Sequence, residues 1–217
     1  MMVTREHLHR ASTWALRGLA VIVFGSIAWS AWHDVSQAWD SGYYHLPFAA
    51  RLAGIVRSDT YVFDVENQAR FQGFPLLGEL LQGIFWRITG RVQAANFVAL
   101  LSIPLFAWAL RKRFDVPVHV SLLSLLAIPL VMTHASSCYV DLPANLAASV
   151  VVLYAIESWA APRELDTKAI ALVIVCAAIA ANMKALLHII VALSLGTIFL
   201  RLMKSDEKRK AVALAAS

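Results

Sequence analysis

Residues 169–202 are apolar almost without interruption, and the length of that run limits the fold more than any other feature. As a single helix it would extend to roughly 50 Å at about 1.5 Å per residue, well beyond the ~30 Å hydrocarbon core of a bilayer. A break is therefore expected at "ANMKALLH", giving two short spans, residues 169–183 and 185–203, that meet near Asn182 and Lys184. Four further stretches meet the length and hydropathy of a crossing, at residues 15–32, 92–110, 118–133 and 142–159. Hydrophobic residues make up 59% of the chain and mean hydropathy is +0.65, above the roughly half-apolar composition of soluble domains. The pattern predicts an all-α membrane protein of about six transmembrane helices, with a long external loop, residues 33–91, after the first.

The basic residues set its orientation. With the N-terminus inside, thirteen of the 19 Lys and Arg fall on the cytoplasmic side, among them Arg17, Arg111, Lys112, Arg113, Arg163, Arg201 and Lys204. The other six are Arg51, Arg57, Arg70, Arg87, Arg91 and Lys184, mostly in the long first loop, where the positive-inside bias is weakest. Both termini are thus expected in the cytoplasm and the chain in a bacterial inner (plasma) membrane. Insertion accounts for the net charge of +5, so no nucleic-acid partner is expected. The first apolar run ends in Trp29 and Trp32 without a small-residue cleavage pattern, which reads as a retained anchor rather than a signal peptide. Cys138 sits in a short polar break and Cys176 inside an apolar run, so a disulfide between them is not expected, and Cys138 reads as accessible from outside.

The first loop is patterned. In "YYHLPFAARLAGIV" and "PLLGELLQGIFWRITG" apolar residues recur at helical spacing, which predicts two amphipathic helices on the outer membrane surface. Between them, "SDTYVFDVENQARFQGF" reads as an exposed loop. The topology then gathers four polar groups on one leaflet: Asp40 and His45 after the first span, Asp141 in "SSCYVDLP", and Lys184 at the last break. Each also has a plain structural reading. Asp40 can cap the first surface helix, Asp141 can cap the helix that opens with Leu142 and Pro143, Lys184 can snorkel, and His45 can pack at the interface.

Taken as a series, "WDSGYYHLPFAARL", "FQGFPLLGELLQGIFWRITG", "SSCYVDLPANLAASVVVLYAI" and "ANMKALL" resemble the GT-C superfamily of membrane glycosyltransferases, and most the bacterial branch akin to protein O-mannosyltransferases and aminoarabinose transferases. The resemblance covers residues 30–200, the family's N-terminal module; members usually continue into further spans and an outer soluble domain. It implies transfer of a sugar from a polyprenyl-phosphate donor to an acceptor at the outer membrane face, with inversion. Asp40 would be the general base, Lys184 would hold the donor phosphate, and Tyr44 and His45 would bind substrate or orient Asp40. Asp141 would position an acceptor group or orient Lys184. No cofactor is required, although two carboxylates could share a divalent cation with phosphate oxygens. A second chain would complete the fold if the module does not act alone. The competing classes are a non-catalytic membrane partner that binds lipid or assembles with another chain, and a small transporter. The transporter is disfavoured because the acidic residues gather at one face rather than near the midplane.

Overall fold

A computed structural model describes residues 2–160, 165–204 and 208–216. Among them there is no strand. Four helices are long and apolar enough to cross a membrane, and a bent helix pair brings the number to five if it counts as one crossing. Arg163, assigned above to the cytoplasmic side, lies outside the described residues.

Helix α1 (Met2–His33) has mostly exposed side chains over residues 7–33 and meets the bundle along a seam with Ala20, Ile27 and Ala31 buried and Val23, Phe24 and Ala28 partly buried. Its end is tied to the start of α5 (Phe97–Phe114) by the Asn96 amide, which donates to the carbonyls of Ala31 and Asp34 at 3.0 Å each. The third expected span, residues 118–133, is a bent helix pair rather than one straight helix. It comprises α6 (Val118–Leu126) and α7 (Pro129–Ala135), bent by 99° at the intervening residues. The cause is Pro129, whose ring drives the preceding Ile128 out of the helical region (φ −86°, ψ 114°) and whose fixed φ then starts a new helix.

Helices α8 (Asp141–Ala160), α9 (Thr167–Met183) and α10 (His188–Lys204) form the main core. Small residues at their contacts, including Ala148, Ala155, Ala177 and Ala180, let the backbones approach closely. The long apolar run does break where the polar residues stand. Lys184 is extended (φ −150°, ψ 111°), and a 3-10 turn, Ala185–Leu187, leads into α10. With that turn the last segment reaches 20 residues, whereas α9 is a shorter apolar helix of 17. Helix α11 (Lys208–Ala215) follows.

The first loop is more helical and more enclosed than its sequence suggests. It contains α2 (Leu46–Leu52), α3 (Val65–Gly73) and α4 (Leu77–Thr89). Helix α3 lies within the stretch read as an exposed loop. It starts because Asp64 accepts a hydrogen bond from the Asn67 amide at 2.7 Å, a side-chain N-cap. Helix α2 buries its apolar stripe in protein: Phe48 is fully buried and its ring centroid lies 5.1 Å from that of Phe63 and 5.3 Å from that of Phe71. Burial of such a side chain contributes about 2–3 kcal/mol. Helix α4 crosses α2 closely at Gly83, where a Cβ would collide with the Ala49 carbonyl, and meets Val140 closely at Gly78 for the same reason. Its other face leaves Ile84 and Ile88 exposed.

Candidate functional site

The residues singled out in the sequence stand at one end of the bundle, where the first loop meets the α7–α8 connection and the Lys184 break. Residues 39–52 form one helix widened at Ser41–His45 into a π turn, a local expansion found disproportionately at functional sites. Ser41 and His45 face inward and are buried, while Asp40 and Tyr44 remain partly exposed. Ser41 shares a hydrogen bond with Ser36 at 2.7 Å between their hydroxyl oxygens.

Asp40 does not cap the helix: it has helical dihedrals (φ −58°, ψ −35°) and its side chain makes no capping hydrogen bond. Its carboxylate instead lies close to the Tyr44 hydroxyl, near enough for its charge and hydrogen bonding to favour the protonated phenol. Burial, then the Asp40 charge, push the Tyr44 phenol up to about 12, so the hydroxyl remains a donor throughout the physiological range. The Tyr139 phenol is raised by burial and then by the Asp40 carboxylate.

Beneath this corner lies a buried pair that the sequence reading did not single out. His45 Nδ1 and Glu79 Oε1 are 2.7 Å apart, with side chains 3% and 4% exposed. One helical turn further on, Gln82 donates to the Cys138 carbonyl at 2.5 Å. Cys138 is fully buried, correcting the expectation that it is accessible, and burial pushes its thiol up to about 11.

Asp141 and Lys184 form an ion pair, both side chains 30% exposed. Asp141 is the first residue of α8, so its carboxylate sits at the positive end of the helix dipole. Its contact is to a cation from the α9–α10 break rather than the expected N-cap alone. Between this pair and the Asp40 corner lie two stacked rings, His134 and Tyr139, with centroids 4.7 Å apart. The Tyr139 ring also meets His45 edge-on at 5.8 Å, and the Lys184 charge reaches His134. Asp40 and Lys184 are thus linked through aromatic rings; no hydrogen bond joins them among the described residues.

A cavity of about 400 Å³ opens between α4, α5, α8 and α9. Its lining is apolar apart from Ser102 and Cys176, and includes Pro143 and Met183, close in sequence to Asp141 and Lys184. Among the described residues no group of three or more His, Cys, Asp or Glu side chains is placed to hold a metal ion. The Asp141 carboxylate is already engaged by Lys184.

Glu79, Gln82, His134 and Tyr139 are the residues of this cluster that sequence reasoning missed. The one available signal was polar Glu79 and Gln82 three apart in an apolar helix, flanked by Gly78 and Gly83.

The fold and the cluster define an all-helical protein with four to five candidate membrane-spanning helices and a polar site at one end of the bundle. Comparison with protein-family models, with curated proteins and with solved structures gives no match.

Proposed function

We propose that the chain is a GT-C type glycosyltransferase, or the N-terminal catalytic module of one, that transfers a sugar from a polyprenyl-phosphate donor to an acceptor at the outer face of a bacterial inner membrane. The observation that carries this reading is the gathering of Asp40–Tyr44 and Asp141–Lys184, about a hundred residues apart in sequence, on either side of the His134–Tyr139 rings. The polar cluster stands next to residues that line an apolar cavity.

Each part has a chemical task. Lys184 supplies positive charge where negative charge grows on the departing phosphate, and Asp141 holds the ammonium toward that position. Asp40 accepts the proton of the acceptor hydroxyl as it attacks the anomeric carbon; the bond to the phosphate oxygen breaks and the sugar inverts. The Tyr44 hydroxyl fixes the Asp40 carboxylate by donating to it. The cavity takes part of the polyprenyl chain, for which an apolar lining is suited. The six-span topology counts α9 as a crossing and the α6–α7 pair as another, with both termini cytoplasmic. Supporting that orientation, Arg111, Lys112, Lys168, Arg201 and Lys204 all stand toward the bundle end opposite the site.

The reading requires the site to face outward. Because Cys138 is buried, the reporter must be introduced. Asp59→Cys, at a side chain 63% exposed in the first loop, is expected to react with a membrane-impermeant thiol reagent in right-side-out vesicles. Lys112→Cys, exposed at the other end of the bundle, is expected to react only after permeabilisation. The opposite pattern places Asp40 and Lys184 in the cytoplasm and removes the proposal.

A further inference from the structure

We infer that Glu79 is a positioning residue of this site: through its hydrogen bond to His45 it holds the π turn, and with it Asp40 and Tyr44, in place against Tyr139. The catalytic consequence rests on the glycosyltransferase reading; the mechanical one stands on the geometry alone.

Glu79 comes from α4 and His45 from the π turn, 34 residues earlier, and both side chains are almost wholly buried. A buried carboxylate is costly unless it is paired. Among the described residues the contact between Nδ1 and Oε1 at 2.7 Å is the only hydrogen bond either side chain makes, because His45 Nε2 and Glu79 Oε2 are buried with no partner there. The orientation of the imidazole therefore depends on one contact. Glu79 cannot withdraw from it, since α4 is clamped on both sides of that residue by the close approaches at Gly78 and Gly83. The ring so fixed is wedged between two tyrosines, its centroid 4.3 Å from that of Tyr44 and 5.8 Å from that of Tyr139. The Tyr44 hydroxyl stands beside Asp40, four residues earlier on the same helix, and both it and Tyr139 feel the Asp40 charge. The path from Glu79 to the carboxylate is thus a continuous series of contacts.

Stability alone does not call for this arrangement. Apolar side chains of similar volume often replace a buried pair with no loss of stability. What such a replacement removes is the fixed orientation of the ring, and that difference makes the inference testable.

The test compares wild type, Glu79→Leu, which leaves no acceptor for His45, and the double variant His45→Phe/Glu79→Leu, each as the full chain in lipid nanodiscs. One readout is hydrogen–deuterium exchange over residues 39–52; the other is release of polyprenyl phosphate from a panel of polyprenyl-phosphate hexoses. Glu79→Leu is expected to raise exchange over 39–52 roughly tenfold, with α5 unchanged, as a local opening does. Its kcat is expected to fall about a hundredfold, the scale of a misplaced reacting group, with KM for the donor within about twofold of wild type because Lys184 is untouched. The double variant is expected to fold with undiminished thermal stability and still to turn over slowly. Unchanged exchange in Glu79→Leu overturns the inference, and so does a double variant restored to the wild-type kcat, which would make the pair mere filling. Absence of turnover in wild type removes the glycosyltransferase reading, and the exchange readout then decides the role of Glu79 by itself.

Discussion

Asp40→Asn is expected to lower sugar transfer by about two to four orders of magnitude, the range for a positioned acid or base, while polyprenyl phosphate still binds. The substitution separates chemistry from folding unusually well. Asp40 makes no capping hydrogen bond, so no cap is lost. An Asn carbonyl oxygen can still accept from the Tyr44 hydroxyl, so the corner keeps its internal contact. Only the proton-accepting carboxylate disappears. Tyr44→Phe leaves that carboxylate in place and removes one donor to it, so its cost in transfer is expected to be smaller than that of Asp40→Asn. Initial-rate measurements with a polyprenyl-phosphate hexose, alongside donor binding to the same preparations, check both. Near-normal transfer by the Asn variant returns Asp40 to a structural role.

Lys184→Met is expected to weaken polyprenyl-phosphate binding by roughly ten- to hundredfold, which corresponds to the ~1.5–3 kcal/mol of one charge-assisted hydrogen bond. The protein should still insert and fold. Its partner Asp141 is 30% exposed, so the carboxylate left behind can be hydrated and avoids the penalty of a stranded buried charge. Titration of polyprenyl phosphate into nanodisc-embedded wild type and variant reads the difference directly. Equal affinities would assign Lys184 to holding the end of α8 through Asp141 and to nothing more.

Hydropathy and charge carried much of this architecture in the sequence. Runs of apolar residues demanded helices of bilayer length, and the polar "ANMK" placed the break at Lys184, because an uninterrupted helix there would overrun the hydrocarbon core. The bend at Ile128–Pro129 was legible in principle. A hydropathy count sees three apolar residues in "IPL", whereas the steric effect of Pro on the preceding residue breaks the helix. Helix α3 was obscured by its polarity, although Asp64 ahead of Val65 and Glu66 carries the mark of an N-cap.

The site was legible only in part, for a different reason. Asp40, Tyr44, His45, Asp141 and Lys184 stand out as polar residues at the ends of apolar segments. Asp40 and Tyr44 are one helical turn apart, but the Asp141–Lys184 and His45–Glu79 pairings are long-range and leave no local trace. Glu79 in "LLGELLQG" reads as the solvent side of an amphipathic helix until α2 and Val140 close over it through the two glycines. Cys138 reads as a loop residue until Gln82 and the π turn cover it. Asp141 has the sequence setting of a cap, and only the folded chain brings Lys184 to it across 43 residues.

The most direct measurement is donor turnover by the purified full chain in lipid vesicles, with water and a panel of added soluble alcohols as hydroxyl acceptors for the sugar. It is scored as release of polyprenyl phosphate from polyprenyl-phosphate hexoses presented at the outer face. The expected result is release that exceeds protein-free vesicles for at least one hexose and falls to near background in Asp40→Asn, with that lipid still bound. Bound polyprenyl phosphate with no release from any donor would contradict catalysis and leave a non-catalytic lipid-binding partner. Absence of both binding and release would contradict the site itself.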